Sequence, residues 1–296
     1  MRMERANAKI NLYLDVVGKR ENGYHNIISI MQTVSVCDLV GVDYRPGLHT
    51  RISLTASGNS AMPTDCRNLA WRAAEQYLMA IRESGEVHVT IEKHIPMAAG
   101  LAGGSADAAA VLRAMNRLCG ERMTLDELCA LGARLGADVP FCIRGGAARV
   151  TGIGEELEPI ASPARIPLVV ACMGEGISTP WGYGRLDELY GNFQTERPLD
   201  DRVSRLLTAL QTGDISAHVG DFYNIFEPIV CEIRPNVQRI KDTMLASGAT
   251  RAMMSGSGPS VFGVFPDLSA AAQAVERLQA MGAVAYLCHP TASYFQ

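Results

Sequence analysis

No two of the eight cysteines form a Cys-x-x-Cys pair, so the sequence offers neither a zinc site of that spacing nor a disulfide framework. Cys37, Cys66, Cys119, Cys129, Cys142, Cys172, Cys231 and Cys288 read instead as buried thiols in a reducing compartment. No apolar run approaches the ~20 residues that span a bilayer, and the N-terminus lacks the apolar core of a signal peptide. A cytoplasmic protein without membrane partners is therefore expected. No run of Lys or Arg stands out, and the formal net charge is −4, which gives no reason to expect nucleic acid as a partner. Small molecules fit better. Also missing is the G-x-x-x-x-G-K-[ST] phosphate loop: the one Gly-Lys pair, Gly18-Lys19, is followed by Arg20. Nor does the dinucleotide pattern G-x-G-x-x-G follow a strand. What is present is ordinary for a globular protein, with 48% hydrophobic and 20% charged residues, and 296 residues suit about two domains.

One segment is not ordinary. Val87, Val89 and Ile91 alternate with polar residues as in a strand, and Pro96 ends that ladder for want of an N–H. Then comes Pro96-Met97-Ala98-Ala99-Gly100-Leu101-Ala102-Gly103-Gly104-Ser105-Ala106, a turn rich in Gly and Ala that leads into a helix ending near Gly120. In that helix Ala109, Leu112 and Met115 fall on a different face from Arg113 and Arg117. The first N–H groups of a helix lack partners, and the macrodipole makes that end positive, so an anionic oxygen is well solvated there. Gly100, Gly103 and Gly104 clear the side chains away from such a cradle, and Ser105 keeps a hydroxyl in it. A Gly/Ala turn that merely lets a helix pack closely on a sheet has the same composition.

Around this loop the first half is read as strands at 10–16, 27–44 and 49–56 and a helix over 68–84 closed by Gly85. Thr124 with Glu127 forms a capping box for a helix that stops before Gly136. Asp138-Val139-Pro140 is then a tight connection into a Gly-rich hairpin, and the proline-bearing run 155–167 is an interdomain crossing. The second half alternates: strand 167–173, helices near 199–211 and 225–247, strands 250–254 and 260–265, helix 268–281 and strand 283–288. The expected class is α+β, with two antiparallel-rich layers and domains at 1–160 and 161–296.

The loop resembles the P-x-x-x-G-L-x-x-S pattern of the GHMP kinases, with Ser105-Ala106 where many members have two serines. Ala6-Asn7-Ala8-Lys9-Ile10-Asn11-Leu12, Asn22-Gly23-Tyr24-His25, Gly136-Ala137-Asp138-Val139-Pro140-Phe141 and Ser255-Gly256-Ser257-Gly258-Pro259-Ser260 follow in the order expected of that family. The resemblance runs from about residue 6 to the final strand. It implies an S5-like N-terminal domain with the ATP phosphate loop, a ferredoxin-like C-terminal domain and a site between them. It further implies an ATP-dependent kinase that uses Mg²⁺ and acts on an alcohol carried by a cytidine diphosphate derivative in isoprenoid synthesis. Another GHMP kinase of homoserine or mevalonate type, or a catalytically silent nucleotide-binding member, is the alternative. Oligomeric state stays open, a homodimer included, as do the protein ligands of the metal.

Site residues carry both readings. Lys9, on the polar face of the first strand, is by itself a solvated or edge-guarding lysine, and Asp138 an Asx-turn or helix-cap residue. The resemblance makes them the catalytic pair, Asp138 taking the hydroxyl proton while Lys9 orients the attacking oxygen. Phosphoryl transfer asks mainly for alignment and charge stabilisation, so a carboxylate suffices. Tyr24 and His25 follow a strong turn signal, and as a surface hairpin they would be incidental. As a base site they offer a stacking face and a donor–acceptor pair, and the resemblance makes Tyr183 the second ring, with Trp181 its competitor. The resemblance adds Asn11 near the reacting hydroxyl and the Ser255, Gly256, Ser257, Gly258 loop over the transferring phosphate. His49, His88, His94, His218 and His289 show no ligand spacing and are read as structural or exposed.

Overall fold

The computed structural model describes residues 1–162, 166–193 and 200–295. The first half is built on β1 (Arg2–Lys19) and β2 (His25–Pro46), a long antiparallel pair turned at Asn22-Gly23, where Gly23 takes φ 86°. β3 (Arg51–Ser57), α1 (Leu69–Ile81) and β4 (Gly85–Glu92) follow. β4 pairs antiparallel with β2 and parallel with β3. After the phosphate-loop segment come α2 (Gly103–Leu118), α3 (Leu125–Ala133), α4 (Val139–Arg144), β5 (Ala147–Thr151) and β6 (Glu156–Ile160). The second half comprises β7 (Leu168–Cys172), α5 (Thr179–Tyr190), α6 (Asp201–Thr212), β8 (Tyr223–Asn224), α7 (Glu227–Ile233), α8 (Pro235–Ala246), β9 (Arg251–Met254), β10 (Val261–Val264), α9 (Leu268–Ala280) and β11 (Val284–Cys288).

Among the described residues the strands form two sheets. The larger runs β3-β4-β2-β1-β8, with β5 also on β2 and β6 on β5; the smaller is the antiparallel β11-β7-β10-β9. Ala8, Ile10 and Leu12 of β1 pack with Leu168, Val170, Phe262 and Val264, so the two sheets share a core. That explains the strict alternation in β1, whose even positions face a second sheet. The odd positions do not face water. Lys9 and Asn11 are 4% and 1% exposed, and β1 is an interior strand, which corrects the edge-strand reading of Lys9.

Other expectations shift for local reasons. The helix expected over 68–84 ends at Ile81, where Arg82 adopts a left-handed φ of 55°, and Gly85 opens β4 instead of closing the helix. The helix expected over 225–247 is two, because Pro235 has no N–H and its ring forces Arg234 to an extended ψ of 77°. The capping box at Thr124 and Glu127 is present. Asp138 opens a short helix where a tight connection was expected. Of the crossing expected at 155–167, residues 156–160 are a strand paired with β5, while 163–165 lie outside the described residues, as does the expected helix start at 199. The thiols are not uniformly buried: Cys142, Cys172 and Cys288 are, but Cys66 is exposed. α2 is buried on nearly every side from Ala106 to Asn116, Arg113 included, because it lies under both the sheet and α1, α3 and α4. No helix among the described residues is long and apolar enough to cross a membrane.

Candidate active site

The phosphate-loop segment is pinned before any ligand arrives. Lys93 reaches Asp38 (2.5 Å) and Asp107 (2.7 Å), all three side chains almost fully buried, and the second Asp38 oxygen accepts from the His94 and Ile95 N–H groups (2.6 and 2.8 Å). Burial raises the Asp107 carboxyl to about 7, with Lys93 opposing and Asp38 adding to the rise. Burial alone would lower the Lys93 ammonium, but the two carboxylates outweigh it and hold it above its usual range. Sequence reasoning missed this group. Its signal was a lysine and an aspartate flanking the loop, the aspartate just past the first turn of a small-residue helix.

Within the loop, Ala98 and Ala102 take left-handed φ values of 50° and 57°, which alanine adopts only under constraint. The constraint is the second half of the chain. The Ser260 N–H donates to Ala99 O (3.1 Å), the Ile177 N–H to Ala98 O (3.3 Å) and the Ser255 hydroxyl to Gly100 O (3.1 Å). A Cβ on Gly100 would fall 2.1 Å from the Ser255 carbonyl oxygen, so only glycine permits the loop and the Ser255–Gly258 turn to meet. Ala99, Leu101 and Ala106 point into the core, while Met97, Ala98 and Gly104 are exposed and Pro96, Gly100, Ala102, Gly103 and Ser105 lie between. Ala106 N–H already bonds Ala102 O, which leaves the N–H groups of Gly103, Gly104 and Ser105 as the helix-start donors. Gly256 and Gly258 are buried, Ser257 is half-buried and shares a hydrogen bond with Thr179 (3.0 Å), and the turn is braced from behind by Asn224, which donates to Met254 O and Gly256 O.

Lys9 sits beside this loop. The β1–β2 register shifts between Asn7 and Lys9, and the Lys9 N–H donates to Leu101 O (3.1 Å). A bulge beside a site commonly re-aims a side chain in this way. Its ammonium donates to Asn11 Oδ1 (2.7 Å); Asn11 in turn donates to Ser29 Oγ (2.8 Å), and Ser29 to Tyr13 O (2.6 Å). Asn11 thus orients the lysine. Asp138 occupies the N-cap position of α4 but makes no cap hydrogen bond, so the helix end does not account for its carboxylate. Lys9 and Asp138 form no ion pair in the described structure. Both charges act on one neighbour: burial raises the Cys142 thiol, Asp138 adds to that push and Lys9 opposes it.

The aromatic group lies at the far end of the β1–β2 pair, where Lys19 stands opposite His25. His25 and Tyr183 stack on each other with centroids 4.7 Å apart at 19°, and Phe193 and Phe226 meet them edge-on. Burial pushes the Tyr183 phenol up to about 12, with Asp138 adding to it. A gap of 4.7 Å admits no base between the two rings, which removes a sandwich made by that pair. Tyr24, 59% exposed, is the ring with an open face. Trp181 packs partly buried on the second-half core. His25 Nε2 lies 2.7 Å from Asp187 Oδ1, and Lys19 bonds the other oxygen at 2.6 Å. Burial pushes the Asp187 carboxyl up, but the Lys19 and His25 hydrogen bonds outweigh it and the carboxyl stays below its usual range. A carboxylate only accepts, so Nε2 carries a proton; in the neutral form of the ring Nδ1 is then an acceptor. Asp187 was not foreseen, because nothing in its flanking sequence marks it.

Among the described residues no group of three His, Cys, Asp or Glu side chains converges as a metal cage. A small apolar pocket lies under the sheets, lined by Ile10, Leu12, Leu168 and Phe222 among others, with no catalytic group in it.

Residues 68–146 match the family described as GHMP kinases N terminal domain, and 203–284 the GHMP kinases C terminal. The chain is 42% identical to the 4-diphosphocytidyl-2-C-methyl-D-erythritol kinase of a Synechococcus species, over 93% of this chain and 88% of that protein. The same kinase of Bacillus mycoides is also 42% identical, over 88% and 86%. A crystal structure of 4-(cytidine 5'-diphospho)-2C-methyl-D-erythritol kinase superposes with a TM-score of 0.79 at 33% identity, covering 98% of this chain and 99% of that one. Homoserine kinase from Cytophaga hutchinsonii shares the fold, with a TM-score of 0.74 at 19% identity, 98% and 94% covered. The chain belongs to the GHMP kinases and, within them, to the family of 4-diphosphocytidyl-2-C-methyl-D-erythritol kinases.

Proposed function

We propose that this chain transfers the γ-phosphoryl group of ATP to the 2-hydroxyl of 4-diphosphocytidyl-2-C-methyl-D-erythritol, with Lys9 and Asp138 at the reacting centre. The observation that supports these roles best is geometric: the Lys9 backbone bonds the phosphate loop at Leu101 O, and Arg113, on the helix that starts in that loop, bonds Cys142 O one turn past Asp138. The N–H groups of Gly103, Gly104 and Ser105 receive phosphate oxygens. The substrate oxygen attacks the γ-phosphorus, the bond to the β–γ bridging oxygen breaks, and the hydroxyl proton passes to the Asp138 carboxylate. Lys9, held by Asn11, stabilises the charge on the reacting oxygens. Mg²⁺, when bound, would neutralise charge at the phosphates, and because such a site can be completed by water and phosphate oxygens, the lack of a protein cage among the described residues does not conflict with it.

At the other end, cytosine stacks on Tyr24 and donates its exocyclic amine to His25 Nδ1, with the His25–Tyr183 pair as the wall beside it. An acceptor there favours cytosine over uracil, which presents a carbonyl at the same position. A cytoplasmic location belongs to the same reading. In the decisive assay, ATP consumption is followed with the cytidyl substrate, homoserine and mevalonate, for wild type and Asp138→Asn. The wild type should prefer the cytidyl substrate, and kcat of the variant should fall roughly two to four orders of magnitude with ATP affinity nearly unchanged. Near-normal turnover in Asp138→Asn removes that residue from the mechanism.

A further inference from the structure

Lys9 and Asp138 come from distant segments, and no direct bond between them fixes their spacing. Arg113 and Tyr294 supply a link. Arg113, 2% exposed in the middle of α2, donates from Nη2 to Arg5 O and from Nη1 to Cys142 O, each at 2.8 Å. Its guanidinium lies 3.8 Å from the centroid of the Tyr294 ring. The Tyr294 hydroxyl donates to the same Arg5 O (3.1 Å) and accepts from the Asn7 N–H (3.2 Å), while the Tyr294 N–H donates to Arg144 O (2.9 Å).

The positions joined are informative. Arg5 and Asn7 are on β1 just before Lys9, where the shift in register interrupts the ladder to β2. Cys142 lies one helical turn beyond Asp138, and its N–H donates to Asp138 O (3.0 Å). α2 itself starts in the phosphate loop. A fully buried guanidinium needs an anion and filled hydrogen-bonding positions, and Glu4 provides the anion at 3.4 Å. Its planar fork can meet two carbonyls at fixed angles, which an ammonium cannot. The fit is close: a Cβ on Gly145 would come within 2.7 Å of the Tyr294 ring.

We infer that Arg113 and the carboxyl-terminal Tyr294 form a clasp that positions the Lys9 strand and the Asp138 helix relative to each other. This rests on the reading of Lys9 and Asp138 as the reacting pair. Both clasp members are positioning residues, since neither touches the reacting atoms.

The test is a double-mutant cycle on the full chain with Tyr294→Ala, Asp138→Asn and the pair together, assayed well below the melting temperature of each. Tyr294→Phe keeps the ring over Arg113 and loses only the hydroxyl bridge, and Leu278→Ala, buried in α9 of the second half, serves as a destabilised control. Tyr294→Ala should lower kcat at least tenfold with less than a twofold change in the KM for ATP. Tyr294→Phe should recover most of that loss, Leu278→Ala should retain kcat, and the double variant should be no slower than Asp138→Asn alone. Unchanged kcat in Tyr294→Ala, an equal loss in Leu278→Ala, or losses that multiply in the double variant would each overturn the clasp. If Asp138→Asn by itself turns over normally, the reading of the reacting pair fails first, which separates the two outcomes.

Discussion

The two ends of the proposed site are built from different material. At the phosphate end the ligand-facing groups are main-chain N–H groups of one contiguous segment, held from behind by a buried Lys93–Asp38–Asp107 cluster and from the side by the Ser255–Ser260 turn. At the base end they are side chains from β2 and α5, which meet as a His25–Tyr183 stack fixed by Asp187 and Lys19. A backbone cradle tolerates changes in its side chains provided they stay small, whereas a side-chain wall can be rebuilt one residue at a time. The phosphate end therefore suits what all substrates of such an enzyme share, and the base end what distinguishes one of them.

The sharpest way to break this contrast is steric. A Cβ at Gly104 meets nothing nearer than Leu69 Cδ1 at 3.8 Å, and the position is exposed; at Gly103 it would lie 3.0 Å from both Lys93 Nζ and Ile95 Cγ2. Gly104→Val should abolish measurable binding of a non-hydrolysable ATP analogue, on the order of a hundredfold or more, with little change in melting temperature. Gly103→Val should instead lower the melting temperature by disturbing Lys93, and lose affinity along with it. Calorimetry and thermal melts on both variants decide the matter. Full affinity in Gly104→Val would place the nucleotide elsewhere.

The difference in construction also governs how much the sequence disclosed. The strand, glycine turn and helix of the loop segment were legible because they follow in one stretch, and the alternation over 87–92 and the Thr124 capping box have only local causes. Lys9 and Asp138 were marked as candidates by resemblance, but the burial of Lys9 was not foreseen, since it follows from the loop bonding β1 at Leu101 O and from α2 packing on that strand, both remote in sequence. Asp187, Asn224, Arg113 and Asp38 act through partners far away in the chain, so no spacing rule could join them. The helix break at Pro235 was visible in principle, the proline being there to read. The closing of His25 onto Tyr183 was not, because a turn and a helix-borne ring carry no mark of their mutual distance.

A milder perturbation sharpens the base end. Asp187→Ala frees His25 Nε2 and removes the reason for its tautomer, leaving Nδ1 to act as donor or acceptor. The KM for the cytidyl substrate should rise about tenfold and discrimination against a uridyl analogue should weaken, with the constants for ATP unchanged. Tyr24→Ala should cost about 1–3 kcal/mol of stacking, and Tyr183→Ala should act by loosening His25. Trp181→Ala is the control, and a larger effect there would reassign the stacking ring. Steady-state kinetics with both nucleotide analogues measures all four. If none of them alters use of the cytidyl substrate, the base is bound at another surface and the kinase reading stands without its specificity wall.

The smallest effect tests whether the phosphate end is as fixed as its hydrogen bonds suggest. Asp107 is buried with Lys93 on one oxygen, while its Oδ1 has no hydrogen-bond partner, and its carboxyl is raised to about 7 by burial. In the unfolded chain it ionises near the ordinary carboxylate range, so between roughly pH 4 and 7 the unfolded state releases a proton that the folded state keeps. Its contribution is then fully present below the unfolded value and is lost as pH rises through the folded one. Asp107→Asn has no such proton. The melting temperature of the wild type relative to Asp107→Asn should therefore fall by a few degrees as pH rises from 4 to 7, whatever the offset between the two proteins at pH 4. Thermal melts of both proteins across that range measure it. A constant difference would mean that Lys93 keeps Asp107 ionised throughout, making the cluster a permanent ion pair with Asp38 sharing the same ammonium. A difference that grows with pH would mean that the attraction to Lys93 exceeds the cost of burial, and the raised carboxyl would be wrong in sign.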